Sequence, residues 1–207
     1  MDISFGHLRN RMSLTVKILL LATVAAVAFS WRSASANPDV WVKTAMNYRF
    51  VESRITAISF EWQFDEYFSS RTIEAFDVNQ NGTLEQGEIE HLRHEAFDPL
   101  KKFDYYVHVW VAGKKRTKSE IVNFTANVDN NRLVYRFTMA LTPPADPGSG
   151  AVVASLYDKT YHVDFKFKKQ KFILVEGAMS PNCKFQIKRG SGAMSGHRQP
   201  VTLRCGE

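Results

Sequence analysis

The chain has 207 residues, 13 % of them aromatic, and a formal net charge of +6. This length supports one domain with a substantial core. The charge is too mild to argue for nucleic acid, and the absence of Gly-x-Ser-x-Gly, His-Glu-x-x-His and phosphate-loop patterns gives no ground for an enzyme.

The first segment reads as an export signal. Arg9, Arg11 and Lys17 precede an apolar run from Ile18 to Phe29, and Ala34-Ser35-Ala36 supplies a small-residue cleavage site. Residues 1–36 are therefore expected to be a signal peptide cut between Ala36 and Asn37, with the processed protein in the periplasm. The run is shorter than the ~20 residues a bilayer span needs. Met12 as the start would give a more ordinary basic leader. Removing Arg9, Arg11, Lys17, Arg32 and Asp2 lowers the net charge from +6 to +3. No later segment reaches membrane length, so no membrane span is expected after cleavage.

Residues 37–207 then read as a single β-rich domain. Val40 to Phe50 predicts a strand, followed by a short turn near Glu52-Ser53. Ile58, Phe60, Trp62 and Phe64 alternate with polar or small residues, the period of a half-buried strand. Asp65 and Glu66 start a helix, where carboxylates suit the helix dipole, and that helix runs from Glu66 to Phe76. After residue 88, Ile89, Leu92, Ala96 and Phe97 mark one apolar helical face. Strands resume with Tyr105 to Val111. Ile121 to Val128 and Leu133 to Leu141 flank Asp129-Asn130-Asn131, a hairpin signal. Pro143 to Gly148 reads as a loop. Val152 to Tyr157, Tyr161 to Phe167, Phe172 to Val175, Phe185 to Lys188 and Val201 to Cys205 complete the pattern. The expected fold is α+β, mainly β: an antiparallel sandwich-like domain carrying an inserted helix–loop–helix over residues 65–103.

Between the two helices lies Asp77-Val78-Asn79-Gln80-Asn81-Gly82-Thr83-Leu84-Glu85-Gln86-Gly87-Glu88. It fits the twelve-residue EF-hand calcium loop. Asp77, Asn79 and Asn81 occupy positions 1, 3 and 5, Gly82 the sharp turn at 6, and Thr83 offers its carbonyl at 7. Glu85 stands at position 9, often a ligand through water, and Glu88 is the bidentate carboxylate at 12. Leu84 is the apolar residue expected to face inward or to pair with a partner. Asn, Asp and Gly favour turns without any ion, but Glu88 and the flanking helices argue for a metal. Three carboxylates and two amides suggest a weak site, Kd on the order of 10⁻⁵–10⁻³ M. Only one such loop is visible, which fits a structural site better than a sensor. The pattern admits Mg2+; the bidentate glutamate and large oxygen count favour Ca2+.

Other candidates carry less. His91 and His94 share a helix face and, with Asp39, form a candidate second metal site; a solvated helix edge is the plainer reading. His108 and His162 fall in strand segments and read as packing or cross-strand residues. Lys114-Lys115-Arg116 with Lys118 reads as a solvated turn. Trp41, Trp62 and Trp110 read as core aromatics. In an oxidising compartment Cys183 and Cys205 most simply form a disulfide, stapling the segment that holds the Gly190 to Gly196 loop.

The order of several motifs resembles one family. They are Asn37-Pro38-Asp39-Val40-Trp41-Val42, then Trp62-Gln63-Phe64-Asp65-Glu66-Tyr67-Phe68-Ser69, then the calcium-type loop and Phe103-Asp104-Tyr105-Tyr106. Leu156-Tyr157-Asp158-Lys159-Thr160-Tyr161-His162-Val163-Asp164-Phe165 and Cys183 follow. The likeness spans nearly all of residues 37–207. It is to bacterial periplasmic proteins of unknown function described as the periplasmic component of an uncharacterised ABC-type transport system. The resemblance implies a non-enzymatic accessory or solute-binding component working with an inner-membrane permease, with a link to metal-ion uptake. That family typically opens its mature chain with His-Pro-His. Here Asn37 and Asp39 stand at the two histidine positions, and neither is an imidazole, so Zn2+ there is disfavoured. The alternative is a structural or assembly protein of the envelope in which calcium is a staple.

Overall fold

Alternation of apolar residues produces two sheets. The computed structural model describes residues 38–116, 119–169, 172–188 and 198–206. The expected signal peptide, Asn37, Lys118 and the Gly190 to Gly196 loop lie outside the described residues.

Strand β1 (Val40–Val51) buries Val42, Thr44, Met46, Tyr48 and Phe50, every second residue, as a pleated strand with one covered face must. It turns through Glu52 and Ser53, both at positive φ, into β2 (Arg54–Phe64). β2 inserts Ile58, Phe60, Trp62 and Phe64 on the same side. Burying one such large side chain contributes about 1.5–3 kcal/mol. Helix α1 (Glu66–Phe76) and helix α2 (Gln86–Leu92) come next. α2 runs into a π-helical turn, Arg93–Phe97, and a 3₁₀ stretch, Asp98–Tyr106. The remaining strands are β3 (Val107–Val111), β4 (Lys114–Lys115), β5 (Ser119–Asp129), β6 (Arg132–Ala145), β7 (Val152–Leu156), β8 (Val163–Phe167), β9 (Ile173–Glu176), β10 (Cys183–Ile187) and β11 (Val201–Cys205).

The first sheet has the order β5-β6-β2-β1-β8, with β9 also on β1; the second has the order β10-β11-β7-β3-β4. Residues of both sheets, with Leu84, Leu92 and Phe97 from the helical segment, form one hydrophobic core. The expected antiparallel arrangement needs a correction. β8 and β9 both pair with β1 in parallel, at Val40↔Val163 and Met46↔Ile173. β2 already occupies one edge of β1 through the hairpin, so the returning chain takes the other edge in two consecutive pieces.

Three local expectations also shift. β6 continues through Pro143 and Pro144 to Ala145, which pairs with Ile55, where a loop is expected from Pro143. β3 starts at Val107, because Asp104, Tyr105 and Tyr106 all take positive φ. Of the described tryptophans, only Trp62 is core; Trp41 is 44 % exposed because it sits on the face of β1 opposite Val42, and Trp110 is half-buried. Among the described residues no helix is long and apolar enough to cross a membrane.

Candidate metal centre

The loop is fixed at both ends before any ion is considered. Asp65 caps α1: its Oδ1 accepts from Phe68 N at 3.0 Å and its Oδ2 from Trp41 N at 2.9 Å. The buried Ser69 hydroxyl donates to the Phe64 carbonyl and accepts from Leu133 N, docking α1 on β6. At the far end Glu85 and Glu88 form a capping box on α2. Glu88 reaches across the loop, with Oε1 accepting from Val78 N at 2.8 Å and Oε2 from Glu85 N at 3.0 Å. Leu84 is buried in the core, which anchors the middle of the segment from below.

Between these anchors the oxygen-bearing side chains fold onto one another. Asp77 is 5 % exposed; its carboxylate accepts from Asn81 N at 3.1 Å and Gly82 N at 2.8 Å. Gly82 has φ +80, the left-handed region a glycine enters without a Cβ penalty. Asn79 Oδ1 accepts from Asn81 N, and Asn81 Oδ1 accepts from the backbone and hydroxyl of Thr83. The amide groups of Asn79 and Asn81 donate to the two oxygens of Glu85. The Asn81 amide above all, then Glu88 and Asn79, hold the Glu85 carboxyl below its usual range. The six predicted residues, Asp77, Asn79, Asn81, Thr83, Glu85 and Glu88, are thus joined by direct hydrogen bonds in one short segment. Two amide N–H donors rest on Glu85. A cation entering the loop has to replace them, with Asn79 and Asn81 turning their oxygens inward. Oxygen donors of this kind fit a hard cation such as Ca2+.

The second set of predicted residues is dispersed among other partners. Asp39 Oδ2 lies 2.7 Å from His162 Nδ1. His94 Nδ1 lies 3.6 Å from Asp98 Oδ2, and the His91 ring packs on Phe76 at 5.3 Å. Among the described residues no group of three or more His, Cys, Asp or Glu side chains is placed to hold a metal; this includes Asp77, Glu85 and Glu88 of the loop as they stand, with the Asn79 and Asn81 amides on Glu85. Cys183 and Cys205 are joined in a disulfide at opposed positions of β10 and β11. Lys115, expected in a solvated turn, makes an ion pair with Asp104 at 2.8 Å. His162 lies just before β8; its ring is exposed rather than packed, and its carbonyl accepts from Asp39 N and Val40 N at the start of the paired strand β1.

A further cluster is missed by the sequence reading. His108, expected as a packing residue, is 2 % exposed and shares a cavity with Phe103, Asp104, Tyr106, Tyr157 and Thr160. The available signal was the spacing: Phe103-Asp104-Tyr105-Tyr106 ends two residues before His108, and Tyr157-Asp158 follows the strand that pairs with β3.

Comparison with known proteins places the chain in a family. Residues 21–203 match the family described as "Protein of unknown function (DUF1007)", and the chain belongs to it. An uncharacterised 15.5 kDa protein in the trpE 3' region of Spirochaeta aurantia is 31 % identical over 93 residues. That match covers 45 % of this chain and 66 % of the relative, just under two thirds of its length.

Proposed function

We propose that this member of the DUF1007 family is a periplasmic, non-enzymatic protein that binds Ca2+ through an EF-hand-like loop. It serves as an accessory or solute-binding component of an ABC-type transport system, with metal ions among its candidate cargoes and an inner-membrane permease as partner. The observation that carries the calcium reading is the folding of Asp77, Asn79, Asn81, Glu85 and Glu88 onto one another around a left-handed Gly82. Bound Ca2+ offsets the mutual repulsion of Asp77, Glu85 and Glu88 and orders residues 65–103 against the sheets. The transport role is supported by the motif order that resembles periplasmic transport components.

A second reading, an envelope structural or assembly protein with calcium as a staple, is favoured by one observation. Leu84 lies in the hydrophobic core, so ordering the loop consolidates the body of the protein rather than a detachable surface.

Calorimetric titration of the metal-stripped, processed protein with Ca2+, Mg2+ and Zn2+ tests the site. The expected result is Ca2+-selective binding that disappears in Asp77→Ala. Zn2+ binding that survives Asp77→Ala would move attention to Asp39, His91 and His94 and to metal transport. Binding of no ion would refute the calcium reading. Co-purification with a permease separates the transport reading from the assembly reading, which instead expects other envelope proteins and no solute.

A further inference from the structure

The cavity beneath the 3₁₀ stretch is about 260 Å³, room for a ligand well below drug size. Its rim is built at a conformational cost. Asp104, Tyr105 and Tyr106 have φ 56, 50 and 53, the left-handed region that an L-residue enters only against a Cβ clash. Such strain persists where surrounding structure over-determines it, commonly at ligand sites. Here Tyr157 N donates to the Tyr106 carbonyl at 3.1 Å and Lys115 holds Asp104 at 2.8 Å.

The floor of the cavity holds an unpaired polar atom. His108 Nε2 lies 3.4 Å from the Tyr157 carbonyl, which assigns the ring proton to Nε2. Its buried Nδ1 has no hydrogen-bond partner among the described residues, a shortfall that calls for an explanation. Burial first, and Lys115 second, lower the His108 pKa, so the ring stays neutral and Nδ1 presents a lone pair. The carboxylate beside it is Asp104, whose Oδ2 lies 3.8 Å away. Both atoms are acceptors; Oδ2 already receives Lys115 Nζ at 2.8 Å, so Nδ1 is the one left without a donor. Asp158 does not compete for it. Burial alone would raise its carboxyl, but the backbone and hydroxyl of Thr160, with His162 N and Val163 N, saturate it and hold it low.

The walls suit an ammonium group with a short apolar body. Phe103 and Tyr106 stack at 5.5 Å and 8°, and Tyr157 packs on His108 at 4.1 Å; aromatic faces attract cations, and here Lys102 Nζ already sits 5.0 Å over the Phe103 ring and the Arg198 guanidinium 4.1 Å over the Tyr157 ring. Lys102 and Lys159 also line the cavity, so a purely cationic ligand meets repulsion there. A carboxylate at the other end of the ligand turns that repulsion into attraction.

We infer that this cavity binds a small zwitterionic amine of amino-acid size, its ammonium between His108 Nδ1 and Asp104 and its carboxylate at Lys102 and Lys159. This deepens the solute-binding part of the function proposed above by naming a solute class; it does not depend on calcium.

The test is titration of the purified protein with glycine, β-alanine and 4-aminobutyrate, and with the half-ligands butylamine and butyrate. Calorimetry and long-range ¹H–¹⁵N spectra of the histidine rings give the readout. The expected result is a Kd on the order of 0.1–1 mM for at least one amino acid, with a shift of the His108 Nδ1 resonance. Each half-ligand should bind at least tenfold more weakly. His108→Phe, which keeps a ring against Tyr157, should abolish binding. Asp104→Asn should weaken it at least tenfold; asparagine tolerates the left-handed backbone, so that loss reports the charge. Undiminished binding in both variants would overturn the inference. So would a silent Nδ1 resonance with every amine, or an Nδ1 response to Zn2+ alone. Ca2+ titration of the same variants keeps the two readings apart: unchanged Ca2+ binding with no amine binding sinks this inference and spares the calcium site.

Discussion

Glu88→Gln separates the structural and the ionic roles of the loop. Glu88 accepts from Val78 N at 2.8 Å and Glu85 N at 3.0 Å. Glutamine keeps one acceptor oxygen and turns an NH₂ group against the other donor. One N–H loses its partner and the positive end of α2 loses a negative charge, together about 1–2 kcal/mol. The ionic role adds to this. With a Kd on the order of 10⁻⁴ M, Ca2+ at about 10 mM stabilises the wild type by roughly 2.7 kcal/mol. For a domain of this size that is a Tm rise of about 5–10 °C. If losing the bidentate carboxylate weakens binding about a hundredfold, the gain falls to roughly 0.4 kcal/mol, about 1 °C. The assay is thermal unfolding with chelator, with CaCl₂ and with ionic-strength-matched MgCl₂. An equal Ca2+ increment in wild type and Glu88→Gln would refute the reasoning, as would no increment in the wild type.

The other predictions probe separate elements. Asn81→Asp adds a fourth carboxylate beside Asp77, Glu85 and Glu88 and removes an amide donor from Glu85; Ca2+ affinity should rise several-fold while the chelator-treated protein loses stability, and unchanged affinity by titration would contradict the ligand assignment. Cys183 and Cys205 are separated by 22 positions, so replacing both by serine should cost about 3 kcal/mol through the loosened unfolded chain; a melting temperature unmoved by the change would show that β10 and β11 are held by other contacts. His108 titrates below its ordinary value of 6.5 because it is buried. The unfolded chain therefore takes up the proton first, and folding stability should fall as pH drops below about 6.5, by up to 1.4 kcal/mol per pH unit until the folded-state pKa is passed. In His108→Phe that part of the acid limb should flatten, as denaturant titrations from pH 7.5 to 5 would reveal; an identical slope would mean that His108 is already protonated or solvated.

Much of the fold follows from periodicity. Ile58, Phe60, Trp62 and Phe64 occupy the core positions their alternation predicts, and helix α1 begins and ends where Asp65 and the loop motif place it. The hairpin at Asn130 and Asn131 is legible because both residues take left-handed φ, which asparagine tolerates. The β1–β8 and β1–β9 pairings are not legible. Parallel neighbours far apart in sequence leave no turn signal, and which edge of β1 they fill depends on β2 having taken the other. Trp41 illustrates the limit of composition: its size argues for burial, while its odd position in β1 turns it outward.

The two candidate sites differ in legibility for a physical reason. The candidate ligands of the loop lie within one short contiguous segment, so their spacing alone fixes how they meet, and six residues named from that spacing are joined by hydrogen bonds. The His108 cavity draws on β3, the segment before it and the segment after β7, brought together by the β3–β7 pairing of Val107 with Leu156. Its rim also depends on a reversal that local preference opposes. Of Asp104, Tyr105 and Tyr106, only the aspartate tolerates a left-handed backbone readily. Tyr105 is held there by stacking on Phe97 at 5.1 Å, and Phe97 is itself packed on Phe124 at 4.1 Å and Phe137 at 5.0 Å. Phe97 also closes the π-helical turn that follows α2. The conformation that opens the cavity is therefore imposed by core contacts from β5 and β6, and no window of sequence around residue 105 contains them.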